Sequence, residues 1–133
     1  MIYLVDASAV VDLLVRSDVG ERVRQRLTDD ADTVLVTVSH LDAEVFSALA
    51  RLHRAGDLTA GEVEELLRRL ATLDVRRIPI TGALLDAAWH MRDNIAARDA
   101  LYVAAARELG CVLLTTDGRL ARAVPDLAIG HAE

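Results

Sequence analysis

The chain has 133 residues, 53% of them hydrophobic and 27% charged, and a formal net charge of −6. That size suits one domain spanning residues 1–133, and that composition excludes a disordered chain. The acidic balance excludes a protein that coats nucleic acid through a general basic field.

The first element is the apolar run Ile2 to Val5, short and continuous like a buried strand. Ser8 is placed to cap a helix through Val15, and a second helix covers Val19 to Leu27 with Val19, Val23 and Leu27 on one face. Thr33 to Val38 is rich in β-branched residues and reads as a strand. A helix from about His40 to Arg54 follows and stops near Gly56. Thr59-Ala60-Gly61-Glu62 is a capping box opening the helix Ala60 to Leu73, so the two helices form an antiparallel hairpin. Val75 to Ile80 is a short strand that Pro79 assigns to an edge. Thr81 caps a helix to about Arg92, and Asp99 opens another that ends at Gly110. Cys111 to Thr115 is a buried strand, Gly118 to Val124 a short helix, and Leu127 to Ile129 a last edge strand. Strands alternating with helices define a three-layer α/β domain with a mainly parallel central sheet.

Four acids fall where strands end or helices begin: Asp6, Glu44, Asp99 and Asp117. In an open parallel sheet the carboxyl ends of the strands form the binding crevice, and all four can converge there. Like charges about 4 Å apart repel by roughly 4 kcal/mol at an effective dielectric of 20, so such a cluster wants a cation. Oxygen-only donors suit Mg²⁺ or Mn²⁺, and carboxylate-held Mg²⁺ is equipment for phosphoryl chemistry. Asp6 and Asp99 are the expected direct ligands, Asp117 a ligand or the holder of a water, and Glu44 a ligand or general base. Ser8 and Thr115 are placed to orient carboxylates, although Ser8 would serve equally as a helix cap.

The remaining polar residues read more plainly. Asp12, Asp42 and Asp93 are expected as exposed or capping carboxylates, with Asp93 the nearest to a further candidate. His40, His53, His90 and His131 share no spacing and are assigned to the surface. Tyr102 and Trp89 fall on apolar helix faces and are assigned to the core. The pairs Arg22 with Arg26, Arg68 with Arg69, Arg76 with Arg77, and Arg119 with Arg122 read as solvated faces. With one Trp, two Tyr and one Phe, there is no base-stacking track.

The segments Tyr3-Leu4-Val5-Asp6-Ala7-Ser8, Glu44, Ala97-Arg98-Asp99-Ala100-Leu101-Tyr102 and Leu113-Leu114-Thr115-Thr116-Asp117 carry a resemblance along the whole chain. In their order and spacing they resemble the PIN-domain nucleases, most closely the VapC-type toxin ribonucleases of bacterial VapBC toxin–antitoxin pairs. The resemblance implies that Asp6, Glu44, Asp99 and Asp117 are the metal-binding and catalytic acids of a Mg²⁺- or Mn²⁺-dependent endoribonuclease. It further implies an RNA substrate, a homodimer, and a cognate antitoxin whose amphipathic segment lies in a groove among Val10 to Leu14, Val19 to Leu27 and Leu41 to Leu52. An Arg or Lys of that segment would reach the acidic pocket.

Other acidic α/β families fail on one point. Phosphorelay receiver domains, P-loop NTPases and haloacid-dehalogenase-type phosphatases rely on a Lys, and this sequence contains none. The remaining alternative is a non-catalytic binding module whose acidic pocket receives a partner's Arg. Cys111 alone forms no internal disulfide and reads as a buried structural thiol. No basic leader precedes the first strand, and no apolar run nears the ~20 residues of a membrane span, so a soluble cytoplasmic protein is expected.

Overall fold

The computed structural model describes residues 1–130. Five strands, β1 (Ile2–Val5), β2 (Val34–Val38), β3 (Arg76–Ile78), β4 (Val112–Thr115) and β5 (Ala128–Gly130), form one sheet in the order β3-β2-β1-β4-β5. All four pairings are parallel, so the sheet is wholly rather than mainly parallel. The central strands carry the core. Leu4, Val5, Leu113 and Leu114 are completely buried, as a sheet covered on both faces requires.

Among the described residues seven helices cover the sheet: α1 (Ala7–Val15), α2 (Asp18–Thr28), α3 (Leu41–Arg54), α4 (Ala60–Thr72), α5 (Gly82–His90), α6 (Ala97–Leu109) and α7 (Gly118–Ala123). Helix α6 packs on β1, β2 and β4, and α5 packs on α6; α1 packs with α2, α3 and α4. Ala100, Ala104, Ala105 and Ala106 of α6 are all buried, and their small side chains bring the helix close to the sheet. Gly20 does the same between α1 and α2. A Cβ there would lie 2.0 Å from the Asp12 carbonyl oxygen.

Local signals hold where they are self-contained. The Thr59–Glu62 capping box is present with both bonds made, and Gly110 ends α6 in the left-handed region at φ 64°. β3 lies at a sheet edge, as Pro79 required, though it ends at Ile78. Two helix starts differ from expectation. Asp6, not Ser8, caps α1, because Asp6 is extended (φ −95°, ψ 176°) and its Oδ1 accepts from the Ala9 N–H at 2.9 Å. Ser8 lies inside the helix and turns its hydroxyl elsewhere. Helix α6 opens at Ala97, two residues before Asp99, behind Ala96, which has no capping side chain. Asp99 therefore sits in the first helical turn, where a negative charge suits the helix dipole.

Trp89 is not in the core: it is 65% exposed, its ring under the Arg92 guanidinium at 4.9 Å. No helix among the described residues is long and apolar enough to cross a membrane.

Candidate active site

Strand order reverses at β1, with β2 and β3 on one side and β4 and β5 on the other. The crevice beyond such a reversal is where parallel α/β sheets bind ligands. Register brings Val5 opposite Leu114, so Asp6 leaves β1 beside Thr115 at the end of β4. A cavity of about 300 Å³ opens there. Asp6, Glu44, Asp99 and Asp117 all line it, with Ser8 at its wall. Four positions spread from residue 6 to residue 117 are thus gathered by three elements and one turn.

Asp6 is the most constrained of them, at 3% exposure. Its Oδ1 accepts from Ser8 Oγ at 2.8 Å and from the Ala9 N–H at 2.9 Å, and its Oδ2 accepts from Thr115 Oγ1 at 2.5 Å. Thr115 Oγ1 also accepts from the Asp117 N–H at 3.0 Å, and Ser8 Oγ accepts from the Thr116 N–H at 3.1 Å. Two hydroxyls therefore tie the first acid to the turn that carries the fourth. Asp117 in turn caps α7, its Oδ1 accepting from the N–H groups of Arg119 and Leu120. Ser8 and Thr115 thus each donate a hydroxyl to a different oxygen of the Asp6 carboxylate.

Burial pushes the Asp6 carboxyl up to about 6, and the nearby Asp99 charge adds to this, against the opposing bonds from Thr115, Ala9 and Ser8. Asp99 is also raised, first by burial; the charges of Asp117 and Glu44 push it further while Arg98 and Arg119 oppose them. Burial alone would raise Glu44, but hydrogen bonding from His40 and Tyr102 and the charges of His40 and Arg98 outweigh it and hold the carboxyl low. The site therefore contains acids that repel one another and are partly withdrawn from water.

The donor set is all oxygen, as Mg²⁺ and Mn²⁺ require. Among the described residues no group of three His, Cys, Asp or Glu side chains is arranged to hold one ion. Mg²⁺ is commonly held by one or two carboxylates and completed by water, so the residues fit such an ion in kind without forming a closed protein cage.

Several residues at the site were not among the candidates. Tyr102 is buried as expected, yet its hydroxyl donates to Glu44 Oε1 at 2.6 Å. His40, assigned to the surface, places Nε2 3.0 Å from the same oxygen. Asp12, Arg51 and Arg98 also line the cavity. Asp12 is no bland surface acid: it accepts from Thr116 Oγ1 at 2.6 Å and from Ser17 Oγ at 2.7 Å. Helical spacing held part of this signal, since Tyr102 follows Asp99 by three residues and His40 precedes Glu44 by four. Asp93 is exposed and outside the cavity, and Asp42 instead forms a two-pronged pair with Arg77 at 2.7 and 2.9 Å. His53 and His90 are exposed, and His131 lies outside the described residues. Cys111 is half-buried, and burial pushes its thiol up, away from nucleophilic character.

Fold and site together define an α/β protein with an acidic crevice at its strand ends. The PIN domain family model matches residues 3–124. Ribonuclease VapC3 of Mycobacterium tuberculosis is 50% identical over 96% of this chain and 91% of its own length. Ribonuclease VapC1 of the same species is 36% identical over 90% of this chain and 89% of its own. Among solved structures, FitAcB from Neisseria gonorrhoeae aligns at TM-score 0.72 and 22% identity, over 100% of this chain and 99% of that one. VapC20 of M. tuberculosis, described as a sarcin-ricin loop cleaving toxin, aligns at TM-score 0.68 and 22% identity over 91% and 94%. The chain belongs to the PIN domain family, among its VapC-type members.

Proposed function

We propose that this protein is a metal-dependent endoribonuclease and the toxin of a type II toxin–antitoxin pair. The observation that carries this reading is the gathering of Asp6, Glu44, Asp99 and Asp117 around one cavity at the strand-order reversal. The ribonuclease names of relatives that align over nearly the whole chain support it.

Asp6 and Asp99 are the residues that would hold Mg²⁺ or Mn²⁺, with Asp117 and Glu44 completing the set directly or through water. A bound divalent ion supplies charge neutralisation at the phosphodiester and activation of water. Thr115 and Ser8 fix the orientation of the Asp6 carboxylate for this. Glu44, held low and therefore anionic at neutral pH, suits a ligand of the ion better than a base that must take a proton from water. Arg51 and Arg98 at the cavity wall can meet the non-bridging oxygens of the RNA backbone, offsetting a chain that is acidic overall.

The partner in this reading is a cognate antitoxin. Val10, Val23, Leu41, Val45 and Leu49 are wholly buried and fill the core, while Phe46 on α3 is exposed within the expected region and Leu14 lines a surface groove. A groove of about 410 Å³ lies between the end of α1 and α4, lined by Leu14, Val15, Leu58 and Leu66 and by the charged Arg16, Glu62, Glu65 and Arg69. It is the structure's better offer to an amphipathic helix. The exposed Leu85 and Trp89 on α5 give a homodimer an apolar face.

Thermal melts with and without metal test the reading. A ligand at 100 times its dissociation constant adds about 2.7 kcal/mol. Millimolar Mg²⁺ or Mn²⁺ is expected to raise the melting temperature of the parent and not of Asp6→Asn or Asp99→Asn. A parent indifferent to both ions contradicts the proposal and favours the non-catalytic alternative, an acidic pocket for a partner's Arg. That no three His, Cys, Asp or Glu side chains among the described residues are arranged to hold one ion is the observation on that alternative's side.

A further inference from the structure

Glu44 is the one acid of the four whose side chain is gripped by aromatic neighbours. Tyr102 is 1% exposed, and its hydroxyl donates to Glu44 Oε1 at 2.6 Å, the short range of a bond to a charged acceptor. His40, just ahead of α3, places Nε2 3.0 Å from the same oxygen. The two rings hold each other, with centroids 4.6 Å apart and planes inclined by 32°. Both ring nitrogens of His40 are buried without a partner of hydrogen-bond geometry among the described residues, Nε2 making only its 3.0 Å approach to Glu44, a placement that packing alone does not favour.

We infer that Tyr102 and His40 are positioning residues for Glu44, Tyr102 holding Oε1 by a hydrogen bond from α6 and His40 closing on it from the start of α3, so that Oε2 is presented to the acidic cavity. Tyr102 follows Asp99 by three residues on α6, so both point from one helix face. The bond to Glu44 therefore sets the spacing between the acid on α3 and the acid on α6. A Phe ring fills the same core space, which separates packing from positioning.

The inference rests on the metal-dependent reading, and its test distinguishes the two. Mn²⁺ binding to the full chain is measured by calorimetry for the parent, Tyr102→Phe, Glu44→Gln and the double variant, with His40→Phe as a second probe that keeps a ring on Tyr102. Groups that orient a metal ligand are typically worth 10–100-fold in affinity. Tyr102→Phe is expected to weaken binding by about that factor in the parent, and to cause no further loss in the Glu44→Gln background. His40→Phe acts in the same direction. Equal affinity for the parent and both single variants, or an equal loss in both backgrounds, overturns the inference. If the parent itself binds no Mn²⁺, the metal reading has failed, and crystal structures decide the clamp. A Glu44 carboxylate seated against Tyr102 in the parent and displaced in Tyr102→Phe supports it; an unmoved carboxylate overturns it.

Discussion

Asp6 makes the metal-free protein more stable in mild acid than at neutral pH. Its carboxyl moves from an ordinary 3.8 to about 6 on folding, chiefly through burial. At about 1.36 kcal/mol per pKa unit, the ionised group costs the native state about 3 kcal/mol above pH 7. The sign follows from proton counts. Between pH 3.8 and about 6 the native state binds more protons at Asp6 than the unfolded chain, so stability falls as pH rises through that window. Integrating from pH 7.5 to 4.5 recovers about 2 kcal/mol. Asp99 is shifted in the same direction, whereas Glu44 is held low and loses its contribution only in stronger acid. The assay is urea unfolding in EDTA at several pH values, parent against Asp6→Asn, with the difference between the two curves read out. The parent is expected to gain about 2 kcal/mol relative to the variant on going from pH 7.5 to 4.5. Parallel curves across that range would refute the argument. With saturating Mn²⁺ the trend should reverse, because protons then compete with the ion for the same oxygens.

Three further outcomes follow from single contacts. Thr115→Val removes the hydroxyl that donates to Asp6 and accepts from the Asp117 N–H, and is expected to lower Mn²⁺ affinity about 10–100-fold by calorimetry while circular dichroism stays native. Gly20→Ala drives a methyl into the Asp12 carbonyl and should cost about 1–3 kcal/mol in urea unfolding, with an unchanged melt refuting the close α1–α2 crossing. Arg77→Ala breaks the pair with Asp42 and the bonds to the Leu70 and Val75 carbonyls; because both partners are partly exposed, the loss should be about 1–2 kcal/mol, and Asp42→Ala in the same background should add little.

What was readable in the chain depended on how local the cause was. The runs Ile2 to Val5 and Val112 to Thr115 announced buried strands because both faces of a parallel sheet are covered, and the Thr59–Glu62 box announced its helix because its two bonds join residues three apart. The four acids were legible because parallel topology sends strand ends and helix starts to one edge. The choice between Asp6 and Ser8 as a cap was not legible. Asp6 is the extended residue before the helix, while the Ser8 hydroxyl meets Asp6, Thr115 and the Thr116 N–H, the last two more than a hundred residues away. The Tyr102 hydroxyl was invisible for a related reason: its position marks a core ring, and only the meeting of α6 with α3 gives its oxygen a carboxylate. Trp89 misled because an apolar position on a helix says that a face is buried, but not whether this chain or another molecule buries it.

The central claim is that these four carboxylates, with a divalent ion, cut RNA. The direct measurement is sequencing of RNA ends after incubating purified protein with cellular RNA in Mg²⁺, Mn²⁺ or EDTA, for the parent, for Asp6→Ala, Glu44→Ala, Asp99→Ala and Asp117→Ala, and for Asp57→Ala in the α3–α4 turn as control. The account predicts discrete new ends with the parent and Asp57→Ala in either ion, and none in EDTA or with any of the four acid variants. Identical ends from the parent and all four acid variants, or cleavage undiminished by EDTA, would contradict it.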